Sequence, residues 1–154
     1  MKKISRGYVD GAFDLVHSGH FNAIRQAYAL CDELVVGANS DEDITEVKGP
    51  PIFDINERSY ILRACKWASQ VVPGTPYTVS EKLLDDLKCD FYIHGDDPCY
   101  DAEGVELCSY FEERGKFKVI QRTAGVSTTN ITGKLLKLAK IINNELSEDD
   151  LDSP

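Results

Sequence analysis

The 154-residue sequence predicts one α/β domain built on a doubly wound parallel sheet. Three observations predict this fold. Short β-rich runs alternate with longer helical patterns, no internal repeat or low-complexity segment interrupts the alternation, and the segments richest in reactive side chains follow strands. Because ligands bind such sheets at the carboxyl ends of the strands, we expect the functional site at that edge.

The elements are predicted as follows. Runs of β-branched and other apolar residues predict strands at residues 4–9, 33–38, 69–73, 89–94 and 117–122. Longer patterns predict helices at residues 18–31, 54–67, 79–88, 102–115 and 128–144. Residues 1–144 therefore make the predicted domain, and residues 145–154 are predicted to be a disordered acidic tail or linker.

Composition excludes several classes of function. The chain is 42% hydrophobic and 28% charged, which is typical of a soluble globular protein. The predicted tail carries five of the nine net negative charges, and no basic stripe is present, so nucleic-acid binding is not expected. No apolar run approaches the ~20 residues of a membrane helix, and no secretory signal is visible, so we expect no membrane insertion and a cytoplasmic location.

The five cysteines are scattered and include no Cys-x-x-Cys pair. An odd number of cysteines without ligand spacing argues against a disulfide framework or a zinc site and favours reduced thiols.

The segment from Val9 to His20 is the most informative motif. It leads from the first predicted strand through a glycine turn to His17 and His20, which are three residues apart at the start of a helix and so share one face. A helix N-terminus attracts phosphate, and imidazoles can donate hydrogen bonds to charge that develops on a phosphoryl oxygen. Gly19 would let the backbone approach closely. The alternative is that both histidines only cap the helix.

A second motif follows the last predicted strand. Arg122 is followed by a glycine turn and three consecutive hydroxyls, Ser127 to Thr129, directly before an amphipathic helical pattern. A helix N-cap needs one hydroxyl, so this surplus favours binding of the outer phosphates of a nucleoside triphosphate.

Four weaker signals each allow a structural alternative. Lys48, in a loop with Gly49 and two prolines, could bind an anion or be a solvated lysine. Arg58 could bind substrate or belong to a charged helix face. Tyr77 could flank a cation or pack within its loop. The segment His94–Asp97 could hold a ribose, an ammonium or a metal, or cap the next helix.

Together these motifs resemble the cytidylyltransferase family over about residues 7–138. The matching segments are Asp10-Gly11-x-Phe13-Asp14-x-x-His17-x-Gly19-His20, Lys48-Gly49, Asn56-Glu57-Arg58 and Arg122-Thr123-x-Gly125-Val126-Ser127-Thr128-Thr129. Lys48–Pro51, Lys66-Trp67, Pro76-Tyr77 and His94-Gly95-x-Asp97 are similar to the branch of the family that acts on phosphoethanolamine.

The resemblance implies a Rossmann-like nucleotidyltransferase fold and a reaction in which CTP and phosphoethanolamine give CDP-ethanolamine and pyrophosphate. It implies Mg²⁺ carried by the triphosphate, with no protein side chain as its ligand, and a homodimer. Phosphocholine or glycerol-3-phosphate as the acceptor, and a non-catalytic CTP-binding regulatory half, are the alternatives. Choline-specific relatives carry tryptophan where Tyr77 stands.

The resemblance also implies roles for individual residues. The catalytic set is His17, His20, Lys48, Arg122, Ser127 and Thr128. The nucleotide-binding set is Gly11, Ala12, Phe13, Asp14, His20, Asp41, His94, Gly95, Asp96, Asp97, Arg122, Thr123, Ala124, Val126, Ser127 and Thr128. The acceptor-binding set is Asp10, Lys48, Arg58 and Tyr77.

Overall fold

A computed structural model describes residues 3–101 and 104–143 and contains one five-stranded sheet. The strands are β1 (Arg6–Gly11), β2 (Glu33–Asn39), β3 (Gln70–Thr75), β4 (Phe91–Gly95) and β5 (Phe117–Ile120). Their order is β3-β2-β1-β4-β5, and every neighbouring pair is parallel. The chain reverses its direction of winding between β1 and β4, which opens a crevice at their carboxyl ends. The predicted doubly wound parallel sheet is confirmed.

Within the described residues, six helices accompany the sheet. They are α1 (Ser18–Tyr28), α2 (Asp41–Lys48), α3 (Ile55–Arg63), α4 (Glu81–Asp86), α5 (Leu107–Glu113) and α6 (Thr128–Ile142). Five correspond to predicted helices with shorter bounds; α3, for example, ends at its C-cap Ala64 and α4 at its C-cap Leu87.

Helix α2 was not predicted, and the placement of Lys48 in a loop was wrong. Lys48 is the last residue of α2, and Gly49 ends the helix with a positive φ of 93°. Ile44 is the one buried residue of this helix, so its sequence lacks the apolar stripe that reveals most helices. The cap at Ser40 and three acidic residues in the first turn stabilise it instead.

The core lies on both faces of the sheet because side chains alternate along each strand. On one face, Val9, Val36 and Ile93 pack with Ile24 of α1 and Leu62 of α3. The opposite face is made by a second buried set, namely Tyr8, Val35, Tyr92, Leu84 of α4 and Phe111 of α5. Helices on both faces leave the carboxyl edge of the sheet as the open side.

Helix α6 lies outside this core. It has no buried residue, and Leu135, Leu136 and Ile142 expose 54%, 66% and 78% of their surface. No helix within the described ranges is long and apolar enough to cross a membrane. The predicted tail at 145–154 lies outside the described residues.

Candidate active site

A cavity of about 700 Å³ opens at the carboxyl edge of β1, β4 and β5. It lies where the strand order reverses, as expected for a ligand site in this fold. Thirteen of the sequence-predicted site residues line it: Asp10, Gly11, Ala12, Phe13, Asp14, His20, Lys48, Tyr77, His94, Gly95, Asp97, Arg122 and Thr128. The segments after β1, β3, β4 and β5 and the ends of α1, α2 and α6 therefore meet around one space.

His17 and His20 cap helix α1 and are stacked on each other. The ring centroids are 3.9 Å apart. Nδ1 of His17 accepts a hydrogen bond from the Gly19 amide at 3.0 Å, and Nδ1 of His20 accepts one from the His17 amide at 3.3 Å. An imidazole that accepts at Nδ1 is neutral and carries its proton on Nε2. Both histidines therefore cap the helix, and each ring keeps one N–H donor. His20 lines the cavity, whereas His17 does not.

The surroundings of His20 keep it neutral. Burial, followed by electrostatic repulsion from His17 when protonated and from Lys48, lowers the pKa of His20 to about 4, although Asp14 acts in the opposite direction. Burial also lowers the pKa of His17. Both rings are thus donors that do not need to lose or gain a proton near neutral pH.

Gly19 permits this arrangement. A Cβ at position 19 would lie 2.9 Å from the His17 ring and 3.7 Å from the Val126 side chain. Any other residue would push His17 away from the position in which it caps α1.

Asp14 fixes the turn between β1 and α1. Its carboxylate accepts hydrogen bonds from the backbone amides of Ile52, at 2.7 Å, and Phe53, at 3.0 Å. The Thr128 hydroxyl donates to the Asp14 carbonyl at 3.3 Å. Both neighbours of Asp14, Phe13 and Leu15, have positive φ values of 49° and 48°. A turn held in this conformation by contacts from two distant segments is strained, as is common at functional sites.

Arg58 does not contact the cavity, which corrects the expectation that it binds the acceptor. Its side chain is fully buried. The guanidinium donates to the carbonyls of Phe53 (3.1 Å), Ala12 (2.5 Å) and Asn39 (2.8 Å), and to the Asp41 carboxylate at 2.6 Å. Arg58 therefore joins the loops after β1 and β2 to α3.

Asp41 also has a structural position instead of the nucleotide contact expected. Besides binding Arg58, its second oxygen accepts from the Ile55 amide at 3.0 Å. These bonds use both carboxylate oxygens of Asp41, which does not line the cavity.

Asp10 places a carboxylate at the end of β1. It accepts hydrogen bonds from the Asn39 amide group and the Tyr92 hydroxyl, each at 3.1 Å. Burial raises the pKa of Asp10, while the hydrogen bonds from Asn39 and Tyr92 lower it. Tyr92 and Asn39 thus support the charged form of a carboxylate that faces the cavity.

Tyr77 and Lys48 lie on the same side as Asp10. The Lys48 ammonium is 5.5 Å from the centroid of the Tyr77 ring. Asn39 also donates to the Pro76 carbonyl at 3.0 Å, and the Tyr77 amide donates to Asp43 at 2.8 Å. One amide side chain therefore connects Asp10 to the segment that carries the aromatic ring.

The opposite wall comes from the ends of β4 and β5. Arg122 lies 3.5 Å from the Asp97 carboxylate, and its amide donates to Asp96 at 3.3 Å. Asp96 does not line the cavity. A Cβ at Gly95 would lie 2.6 Å from Asp97, so glycine is required for Asp97 to fold back against β4.

Fewer residues of the turn before α6 line the cavity than the sequence predicted. Thr128 lines the cavity, together with Thr129 and Thr132, but Thr123, Ala124, Val126 and Ser127 do not. The Ser127 hydroxyl accepts from the Asn130 amide at 3.1 Å and caps α6. Thr123 accepts from Asn22 at 2.8 Å. Ser127 thus supplies the hydroxyl that a helix N-cap needs.

Sequence reasoning did not assign Tyr92, Tyr100, Cys99 or Thr132, all of which line the cavity. Tyr92 stands between the buried Phe91 and Ile93 and has the sequence signature of a core residue. Only the pairing of β4 beside β1, with Tyr8 opposite Tyr92, shows that its hydroxyl reaches Asp10. Thr132 could have been found, because it lies one helical turn after Thr128.

Comparison with known proteins gives consistent results. The sequence matches the family described as cytidylyltransferase-like over residues 8–134. It is 50% identical to the ethanolamine-phosphate cytidylyltransferase of Dictyostelium discoideum, over 90% of this chain and 39% of that protein. The same enzyme of Arabidopsis thaliana is 45% identical, over 88% of this chain and 33% of that protein. The chain thus spans less than half the length of these relatives.

A solved structure agrees with the fold. The crystal structure of the lipopolysaccharide core biosynthesis protein from Thermoplasma volcanium superimposes with a TM-score of 0.63 at 27% identity. The superposition covers 79% of this chain and 98% of that one. From the match over residues 8–134, together with the strand order and the cavity described above, the chain belongs to the cytidylyltransferase-like family.

Proposed function

We propose that the chain transfers a cytidylyl group from CTP to phosphoethanolamine, giving CDP-ethanolamine and pyrophosphate. The observation that carries this proposal is one cavity lined by a neutral imidazole, a lysine and a half-buried carboxylate, namely His20, Lys48 and Asp10. Such a cavity suits a substrate with phosphate at one end and a cation at the other. The relatives named as ethanolamine-phosphate cytidylyltransferases support the same choice of substrates.

The reaction needs no covalent intermediate on the protein. A phosphate oxygen of phosphoethanolamine forms a bond to the α-phosphorus of CTP, and the bond from that phosphorus to the β-phosphate bridging oxygen breaks. The bonding electrons leave with pyrophosphate. The Nε2–H groups of His17 and His20 donate to the α-phosphate oxygens as charge builds on them. Lys48 neutralises the two phosphates that approach each other.

Arg122 and Thr128 hold the departing phosphates in this proposal, and His94 to Asp97 border the cytidine. Mg²⁺ accompanies the triphosphate and supplies further charge neutralisation. Within residues 3–101 and 104–143 the one cluster of three or more possible metal ligands consists of His94, Cys99 and Cys108, which does not suit Mg²⁺. As the resemblance implies, the triphosphate and water would hold this ion.

Asp10 explains the preference for ethanolamine over choline. A primary ammonium has three N–H donors, and a carboxylate has about four lone-pair positions, of which Asn39 and Tyr92 use two. A quaternary ammonium donates no hydrogen bond and binds best against aromatic faces. Tyr77, Tyr92 and Tyr100 line the same cavity, so phosphocholine is the second candidate acceptor.

A pyrophosphate-release assay with CTP and Mg²⁺ tests the proposal. We expect the highest kcat/KM with phosphoethanolamine and lower values with phosphocholine and glycerol-3-phosphate. Equal or faster turnover of phosphocholine would contradict the acceptor. Binding of CTP without pyrophosphate release for any acceptor would instead support a non-catalytic regulatory half.

Two further features belong to the proposal by resemblance alone. The active form is a homodimer, and it works in the cytoplasm. Sedimentation of the purified chain and imaging of the tagged protein in cells would test these two predictions.

A further inference from the structure

Two thiols and one imidazole, all possible metal ligands, lie close together at the wall of the cavity. The Sγ atoms of Cys99 and Cys108 are 3.1 Å apart, and Cys108 Sγ is 4.0 Å from Nδ1 of His94. All three ligand atoms lie within 4.8 Å of one another, and each residue is half-buried. His94 and Cys99 also line the cavity, whereas Cys108 does not.

The fold brings these residues together although their spacing in the sequence gives no sign of it. His94 is near the end of β4, Cys99 is in the following loop, and Cys108 is in α5. An antiparallel bridge pairs Tyr100 with Glu106, and the Leu107 amide donates to the Cys99 carbonyl at 2.9 Å. These backbone contacts set the two thiols side by side. Cysteine spacing along the sequence does not reveal this contact.

We propose that His94, Cys99 and Cys108 bind one Zn²⁺ ion. Two thiolates and an imidazole are preferred zinc ligands, with Zn–S near 2.3 Å and Zn–N near 2.0–2.1 Å. Tetrahedral geometry at those lengths places two sulfur atoms about 3.8 Å apart, and sulfur and nitrogen about 3.6 Å apart. The observed 3.1 Å and 4.0 Å differ from these values by amounts that small side-chain rotations supply.

Binding is a proton-releasing exchange without oxidation. Zn²⁺ displaces one proton from each thiol, and two Zn–S bonds form, so the bound ion and its thiolates are neutral together. His94 binds through Nδ1 as the Nε2–H tautomer and gives up the 3.2 Å contact between Nδ1 and the Gly95 carbonyl. The fourth ligand position is open to water. A disulfide would leave His94 without a role, which is why the cluster favours a metal.

Titration of the reduced chain with Co²⁺ under anaerobic conditions tests this site. We expect one Co²⁺ per chain, a thiolate-to-cobalt charge-transfer band in the near ultraviolet, and displacement of that band by Zn²⁺. Cys108→Ser and Cys99→Ser should lose the band. Because loss of an outer hydrogen-bond partner alone weakens metal affinity up to about 100-fold, loss of a ligand should weaken Zn²⁺ binding by at least about 100-fold.

Cys31→Ser is the matched control, since Cys31 is also half-buried but lies outside the cluster. It should keep the band and the Zn²⁺ affinity. X-ray absorption of the zinc-loaded chain should show two sulfur ligands and one imidazole nitrogen. No band in the reduced wild-type chain, a band that survives Cys108→Ser, or conversion of the two thiols to a disulfide without metal uptake would each overturn the proposal.

Discussion

His17 and His20 both cap α1 and, in the proposed reaction, both donate hydrogen bonds to the α-phosphate. Each ring uses Nδ1 to satisfy an amide at the start of α1, which fixes its orientation and tautomer. The remaining Nε2–H of each ring is therefore already oriented before the reaction begins. Pre-orientation of this kind is what makes a donor effective toward developing charge.

Removal of one of these donors should slow the chemical step. We expect His20→Ala to lower kcat about 10²–10³-fold, because a single donor to developing charge contributes that much in other enzymes. CTP affinity should change far less. Measurement of kcat and KM by pyrophosphate release, with folding checked by circular dichroism, tests this. A kcat within a few fold of wild type would show that His20 only caps α1.

Acid should destabilise the fold through the same residue. The unfolded pKa of histidine is about 6.5, and the folded pKa of His20 is about 4. Between these values the unfolded chain binds a proton that the folded chain excludes, so stability falls as the pH drops through this window. The titratable neighbours that influence the pKa of His20 are His17, Lys48 and Asp14.

His20→Gln keeps an oxygen that can accept from the His17 amide, as in a capping box, but removes the titration. We therefore expect its Tm to fall less than that of the wild type between about pH 7 and about pH 4.5. Thermal unfolding of both chains at each pH tests this. Equal falls in Tm would exclude His20 as a source of the acid sensitivity.

Tyr92 should act through Asp10. Tyr92→Phe removes a hydrogen bond that lowers the pKa of Asp10. A hydrogen bond to a charged group contributes about 1.5–3 kcal/mol, so we expect KM for phosphoethanolamine to rise at least about 10-fold, with little change in KM for CTP. The acid limb of the kcat/KM profile for phosphoethanolamine should shift to higher pH.

Tyr110→Phe is the control, since its hydroxyl binds Glu81 outside the cavity. It should leave both KM values unchanged. A rise in both KM values for Tyr92→Phe, with no shift in the pH profile, would indicate a general loss of structure instead of an effect on Asp10.

At the scale of elements, α2 and α3 depend on one buried cation. Arg58 leaves the first turns of α3 and reaches carbonyls at the ends of β1 and β2, as well as Asp41 in the first turn of α2. The motif Asn56-Glu57-Arg58 matches the family, but the sequence does not show whether the Arg58 side chain contacts a ligand or the interior of the protein. That distinction depends on how α3 packs against the sheet.

Arg58→Met should destabilise the domain strongly. Loss of the cation leaves three carbonyls without this donor and Asp41 without its ion pair, and breaking a buried pair costs about 3–5 kcal/mol. Chemical denaturation measures this change. Arg63→Met, at an exposed position of the same helix, should change the free energy of unfolding by less than about 0.5 kcal/mol. Similar values for the two variants would contradict the buried role of Arg58.

Most helices and strands could be predicted from the sequence, whereas α2 could not. The strands β2 and β4 are continuous apolar runs, and the helices that flank them carry apolar stripes, so their positions follow from the sequence. Helix α2 depends on a cap and acidic first turn, which are weaker signals than an apolar stripe. Because α2 was not predicted, Lys48 was assigned to a loop instead of to the end of this helix.

For the whole molecule, the strand-helix alternation was enough to predict the sheet and the edge at which the cavity opens. His20 and Arg122 could be placed there because each follows a strand end. Lys48 was assigned to the site only through the family resemblance, and it lines the cavity from the end of α2. The Asn39–Asp10–Tyr92 network could not, because it depends on which strands are neighbours. Pair contacts across a sheet come from strand order, which the alternation alone does not determine.

In the proposed reaction, one cavity holds phosphates beside His20 and Lys48 and a primary ammonium beside Asp10. A crystal structure with CDP-ethanolamine bound would reveal both contacts. We predict the diphosphate against His20 Nε2 and the Lys48 ammonium, the cytosine toward His94, and the ethanolamine nitrogen about 3 Å from the Asp10 carboxylate. A diphosphate remote from His20, or an ethanolamine nitrogen that makes no contact with Asp10, would contradict the account.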